Sequence, residues 1–370
     1  MPSQNELFTA QAVKNSADKF LKGRTDATIR ERFFLSYLQK AGRFIFNESG
    51  TSHTWNVKVR EPDIFTTRGE APQFVSSDTQ EQLTIGHAAY RGTDTIDHFT
   101  QLANKGPTQI VNLMETKMTD LIQSMCNAMN KQMFGSAASD TSVIAGIRTL
   151  FQHAVTSNDD RMAIPAAGST YGGKSMVLGS FGGSWSQALG AGRPNTGTIY
   201  DWPEGSGDSQ YDWLASKAFN YTGAWSASNN NWGTNCEKIL RRSKTSINSL
   251  GGSGSAPSLH MLSVPMYNTL LDQIAVRERL NVSDYARSLG FPDVMNYEGA
   301  LLAYDIECPA DRGYAINPQQ VALYSLHDQL FFNAGPEWNI EKQAWLMLIG
   351  FVGNFRWNPK YFAEYASYAA

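Results

Sequence analysis

Hydrophobic positions change period along the chain, and each change marks an element. From Pro107 to Met133, Ile110, Met114, Met118, Leu121, Met125 and Met129 recur every three or four residues. That spacing predicts one amphipathic helix, begun by Pro107 in its first turn and stopped before Gly135. At 1.5 Å per residue it spans about 40 Å, longer than a compact domain usually needs. Its methionine stripe reads as a buried core face, because Met fills irregular packing. Before it, Trp55, Val57 and Val59 alternate with polar residues between His53 and Arg60, and Leu83 to Arg91 is a second extended run. Both suit half-buried strands, and the polar loop between them, Glu61 to Glu81, is overlong for a plain connection. Together they predict a protruding two-stranded flap.

A short helix from Arg30 to Leu38 carries Phe33, Phe34 and Tyr37, at the end of a mildly basic arm. Gly135 to Gly233 is crowded with Gly, Ser and Asn around Trp185, Trp202, Trp213, Trp225 and Trp232, which predicts loops around short strands. After a Gly-Ser linker at Gly251 to Ser255, an apolar strand from Ser258 to Val264 runs through Pro265 into a helix from Met266 to Leu280. Strands are expected again at Leu301 to Asp305, Val321 to Leu326, Trp338 to Ile340 and Ala344 to Phe355. The last is apolar on both alternating sets, so it should be central. The pattern defines an α+β chain.

Composition narrows the function. Thirty-one Lys and Arg against 34 Asp and Glu give a net charge of −3 over 370 residues, which argues against holding nucleic acid by counterion release. Cys126, Cys236 and Cys308 are far apart and form no C-x-x-C pair, so neither a disulfide framework nor a zinc knuckle is indicated. The first ten residues lack the basic and apolar regions of a secretory signal, and the longest apolar run, Ala344 to Gly353, is about half a membrane span. No membrane partner is expected.

The sharpest motif is Gly168 to Ser175, which satisfies G-x-x-x-x-G-K-[ST]. A phosphate-binding loop needs a buried strand before it and a helix after it. Here Pro165 breaks the segment before, and glycines at 179, 182 and 183 follow, so the match reads as a product of Gly/Ser-rich composition. The six histidines, at 53, 87, 98, 153, 260 and 327, show no metal-ligand spacing, and no G-x-S-x-G elbow is present. Catalytic residues, metal ligands and cofactors are therefore expected to be none. The tryptophans leave a carbohydrate-binding protein as an alternative, against packing beneath loops.

The order of arm, flap, long helix, irregular middle, strand-Pro-helix and closing strands resembles tailed-bacteriophage major capsid proteins of the Hong Kong 97-like fold. The stretches Gly299 to Pro309, Gly313 to Leu323 with Asn317 and Pro318, Val352 to Pro359 with Gly353 and Asn354, and Ser258 to Leu271 carry the resemblance. It implies an N-terminal arm at 1–51, an extended loop at 52–95, a peripheral domain with the spine helix at 96–136 and 306–370, and an axial domain at 137–305 holding the Gly/Ser/Trp-rich insertion. It further implies a structural, non-enzymatic coat protein that self-assembles through hexamers and pentamers into an icosahedral shell around phage double-stranded DNA. Lys58, Arg60, Glu61, Asp63, Arg68 and Glu70 of the extended loop would make intersubunit contacts. Implied partners are a portal, a scaffolding protein expected to be separate because only about fifty residues precede the flap, and a decoration protein. The DNA would be enclosed without sequence-specific binding, and the location would be the virion, assembled in the host cytoplasm.

Overall fold

The computed structural model describes residues 32–58, 80–103, 107–137, 142–156, 162–166, 168–176, 214, 216–226, 228–251, 255–274 and 295–368. Two sheets and three principal helices organise them. The first sheet is built on β16 (Ala344–Trp357), fourteen residues long. One edge pairs over ten residues with β4 (Ala88–Asp97), antiparallel. The other edge pairs with β15 (Phe332–Asn339) and then with β14 (Val321–Ser325), and β1 (Phe44–Ile45) adds in parallel to β14. The expected central strand is thus found, two residues longer. Met347, Ile349, Phe351, Phe355 and Trp357 are all buried along it. Gly353 is required by close approach, since a Cβ there would lie 2.0 Å from the Tyr324 carbonyl oxygen. The expected strand Trp338 to Ile340 is the end of β15, which begins earlier, and Ile340 is exposed in the turn that follows.

The spine helix, α3 (Pro107–Met133), has the predicted bounds and lies on β4 and β16. Met114, Met118, Ile122, Met125, Met129 and Met133 are buried, and Leu121 is half-buried. Gly92 in β4 leaves room for the helix: a Cβ there would stand 3.0 Å from Leu121 and 3.1 Å from Met125. Lys117 fixes the helix along its length, pairing with Asp94 at 3.2 Å and donating to the Thr95 carbonyl at 2.6 Å. Preceding it, α2 (His98–Ala103) continues directly from β4. The short aromatic helix, α1 (Phe33–Lys40), starts and stops later than Arg30 to Leu38; it carries Phe33, Phe34 and Tyr37 as expected, and all three are buried.

The second sheet has eight strands in the order β11-β12-β10-β13-β17-β9-β6-β5. In chain order these are β5 (His153–Thr156), β6 (Met162–Pro165), β9 (Lys217–Asn220), β10 (Leu259–Leu262), β11 (Met295–Tyr297), β12 (Ala300–Tyr304), β13 (Arg312–Ile316) and β17 (Ala363–Ala366). Alternate residues serve opposite faces, as strand geometry dictates. Leu262, Leu302, Ala315 and Phe219 pack under the helices α4 (Trp232–Gly251) and α5 (Val264–Ile274), while Met261, Ala303, Tyr314 and Ala218 join the core shared with the spine helix and first sheet. Residues 88–95, placed in the extended loop by sequence, pair along β16, and β13 and β17, within 306–370, pair in the eight-stranded sheet.

Helix α4 is the largest element that the sequence left unassigned. Its buried positions among those described are Trp232, Asn235, Cys236, Ile239, Leu240, Ser243, Ser246 and Ile247, so polar residues interrupt the apolar stripe. Its start is nevertheless signalled: Asn231 Oδ1 accepts from the Thr234 N–H at 2.9 Å, an N-cap. Helix α5 begins two residues before the expected Met266, and Val276 and Leu280 lie outside the described residues.

Ser243 belongs to a buried chain in which its Oγ lies 2.6 Å from the Tyr365 hydroxyl, which lies 2.9 Å from His260 Nδ1. Burial, then the Lys244 charge, lower His260 to about 3. The folded state thus keeps this ring neutral while the unfolded chain protonates near pH 6.5. Its contribution is full above about pH 6.5 and falls by about 1.4 kcal/mol per pH unit between there and about pH 3. Denaturant unfolding at several pH values should show this acid limb in the wild type and lose one proton of slope in His260→Gln. In the spine, Met118→Ala should cost about 2–5 kcal/mol in the same assay, because no solvent reaches the site to fill the void.

Candidate functional site at the root of the flap

The flap is β2 (Ser52–Lys58) paired antiparallel with β3 (Gln80–Gly86), in register from Ser52 with Gly86 to Lys58 with Gln80. The second predicted run, Leu83 to Arg91, is therefore two strands: the chain breaks at His87 and continues into β4. Lys58 closes the described part of the flap. Arg60, Glu61, Asp63, Arg68 and Glu70 lie outside the described residues, as do Val59 and most of the polar loop.

What the structure brings together is the flap's root. On β2, His53 stacks on Tyr324 of β14 with centroids 3.8 Å apart and on Trp55 at 5.4 Å, and its Nδ1 lies 2.8 Å from Glu48 Oε1. The Arg356 guanidinium, from β16, sits 5.1 Å over the Trp55 ring, a cation–π contact that fixes the strand's inner face. On the β3 side, Leu83 is buried against a small hairpin.

That hairpin is the phosphate-loop lookalike. β7 (Thr170–Tyr171) and β8 (Lys174–Ser175) pair across Gly172 and Gly173, both at positive φ, the backbone a two-residue I′ turn demands. Gly172 O accepts from Thr84 N at 3.1 Å, and a Cβ on Gly172 would come within 2.7 Å of Leu83. Lys174 pairs with Glu81 at 2.8 Å. The glycines and lysine that suggested phosphate chemistry therefore serve to seat the flap.

The end of β16 closes the arrangement. The Tyr171 hydroxyl accepts from Trp357 N at 2.8 Å and donates to Trp357 O at 3.1 Å; its burial pushes its pKa upward. Trp357 Nε1 donates to Ala145 O at 2.7 Å. Asn354 Oδ1 accepts from Ala145 N and Asn354 Nδ2 donates to Gly86 O, both at 2.7 Å. A cleft of about 150 Å³ remains between Thr84, Gly86, Ala145, Tyr171, Gly172 and Asn354. Its lining offers hydroxyls and amides, and no charged side chain among the described residues.

Elsewhere, Cys126, Cys236 and Cys308 are buried thiols outside any disulfide, and burial pushes the Cys308 thiol's pKa up. No three or more His, Cys, Asp or Glu are grouped to hold a metal ion among the described residues, and no described helix is long and apolar enough to cross a membrane. Trp225 and Trp232 pack inward, donating to Asn220 O at 2.7 Å and Met266 O at 2.8 Å, which is the packing reading of these residues rather than a sugar platform. Trp185, Trp202 and Trp213 lie outside the described residues. The strand expected at Leu301 to Asp305 is β12, which ends at Tyr304; Asp305 follows it, held by Asn130, as an ordinary strand end leading into a turn.

No family model matches the sequence, and no curated protein matches it. Solved structures do match. The chain superimposes with a TM-score of 0.52 on a structure described as the cyanophage A-1(L) capsid asymmetric unit, at 12% identity over 88% of this chain and 90% of that one. The capsid of an empty GTA particle gives 0.52 at 8% identity over 89% of both chains, and that of a native GTA particle 0.50 at 10% identity over 90% of both. The α+β fold of the protein is that of these capsid subunits, as the resemblance in sequence order implied.

Two outcomes check the root. Tyr171→Phe leaves the buried Trp357 N–H unpaired and should cost about 1–3 kcal/mol, with faster amide exchange in β2, β3 and β7 but not in α4. Lys174→Met removes a partly exposed ion pair and should cost less than about 1 kcal/mol.

Proposed function

We propose that the protein is a major capsid protein, a structural and non-enzymatic subunit that self-assembles through hexamers and pentamers into an icosahedral shell around phage double-stranded DNA. The observation that carries this reading is the shared fold with capsid subunits over 88–90% of both chains. The arrangement of elements supports it physically. A 27-residue helix gives rigid length, and a seven-residue ladder carries the overlong loop away from a tightly packed root. A subunit held by several neighbours at once gains effective concentration for each further contact, so modest interfaces suffice. A net charge of −3 suits a wall that confines DNA without gripping it.

In this reading the arm is 1–51 and the extended loop begins at 52. The peripheral domain is the spine helix with the β16 sheet, and the axial domain is the eight-stranded sheet with α4 and α5. The chain then crosses between the domains more than once after residue 305. Lys58, Arg60, Glu61, Asp63, Arg68 and Glu70 form the loop's intersubunit contacts. Portal, separate scaffolding and decoration proteins are the expected partners, and the virion, assembled in the host cytoplasm, is the location.

The test is electron microscopy with sedimentation velocity on the purified protein and on a variant in which residues 61–79 are replaced by a short Gly-containing turn. The wild type should give shells, tubes or hexamers and pentamers, and the variant a folded subunit that forms no stable shell. Normal shells from the variant would refute the loop's role.

A further inference from the structure

Asn130, near the end of the spine helix, and Asp305, just past the end of β12, meet where α3 reaches the end of that strand of the eight-stranded sheet. They are 0% and 4% exposed. Asn130 Nδ2 donates to Asp305 Oδ1 at 2.9 Å, and the Glu307 N–H donates to the same oxygen at 3.0 Å. The other half of each side chain is unmatched: Asn130 Oδ1 and Asp305 Oδ2 are both buried with no hydrogen-bond partner among the described residues.

Both unmatched atoms are acceptors if Asp305 is ionised, and a buried acceptor without a donor is costly. A single proton on Oδ2 removes both deficits, because a carboxylic acid donates where a carboxylate only accepts. The charges around the pair are few. Arg32, whose guanidinium bonds Asn127 Oδ1 at 2.7 Å on the same helix, favours the ionised form, and Glu307 opposes it. Cys308, in the same turn, is a buried thiol whose own pKa is raised, first by burial and then by Asp305. Burial is the largest influence on Asp305 and raises it above the ordinary aspartate value.

We propose that Asp305 is carried in the folded subunit as a carboxylic acid whose Oδ2–H donates to Asn130 Oδ1. The spine helix and the eight-stranded sheet are then joined by a neutral, two-bond acid–amide pair that ionisation breaks. The proton comes from solvent on folding, since the unfolded side chain is ionised above about pH 4. The pair is a pH-sensitive joint between the two structural halves.

The sign of its effect follows from linkage. An acid whose folded pKa is raised contributes stability that is present below its unfolded pKa and lost as pH rises through the folded pKa. Asp305→Asn keeps the shape, stays neutral and supplies an amide N–H in place of the O–H. Unfolding equilibria of the full chain from pH 4 to 8 should show the variant gaining on the wild type by up to about tenfold per pH unit above about pH 4, levelling where folded Asp305 ionises. A ratio that is independent of pH, or that falls, overturns the proposal. Should the variant not fold, infrared spectra of wild-type protein with carboxyl-labelled aspartate decide it. A protonated-carboxyl band that persists above the ordinary aspartate range in the folded protein and vanishes on unfolding is expected. Carboxylate bands alone would overturn it.

Discussion

The structure depends on the saturation of one strand. β16 has a neighbour over ten of its fourteen residues on one edge and two neighbours in succession on the other, and Met347, Ile349, Phe351, Phe355 and Trp357 are buried along it while Leu346, Leu348 and Val352 are half-buried. Three consequences follow from that burial. The spine helix gains a bed across β4 and β16, closest at Gly92 and pinned by Lys117 to Asp94. Tyr324 of β14 is brought against Gly353, where it stacks on His53 at the flap's root. Past Gly353 the strand's last residues, Asn354, Arg356 and Trp357, become the anchor points for the flap, the 145 loop and the β7–β8 hairpin.

This arrangement sets the two flap strands on a fixed root. The root is secured by directional bonds that water cannot replace: Tyr171 to the Trp357 backbone and Asn354 to Ala145 and Gly86 are buried or largely so. The outer ladder is less enclosed: Asn56 and Lys58 are exposed, Val57 is half-buried against the core, and the Lys174–Glu81 pair beside it is partly exposed. A subunit that must keep its own fold while engaging neighbours needs this gradient, since contacts made on assembly then act on a segment already aimed by the body. The eight-stranded sheet completes the body differently, placing helices on one face and sharing the other with the spine helix core.

Much of this was legible in the sequence where one period dominated. The spine helix was read with its bounds because Met114, Met118, Met125 and Met129 form a clean stripe between Pro107 and Gly135, and β16 because both of its alternating sets are apolar. Helix α4 escaped because Ser243 and Ser246 occupy core positions, their hydroxyls satisfied by Tyr365 and by backbone carbonyls, so the buried face does not look apolar. His87 was invisible as a break because its neighbours continue the strand pattern on both sides. The root could not be read at all. Its members, from Glu48 to Trp357, are brought together by pairing register, and the Gly168 to Ser175 motif pointed to a chemistry that Lys174 and Gly172 do not perform here. The residues behind the capsid resemblance do carry structural reasons: Gly353 admits Tyr324, Asn354 bridges two segments, and Asn317 caps the turn before β14 while bonding Ser255 O at 3.1 Å.

The central claim is that the flap is aimed by a root fixed within its own subunit and acts on another copy. A cryo-electron microscopy reconstruction of assembled particles tests it most directly. The account predicts the Tyr171–Trp357 and Asn354–Gly86 contacts intact in every subunit, with residues 59–79 lying against a neighbour. A flap folded back on its own subunit, or a root repacked on assembly, would contradict it.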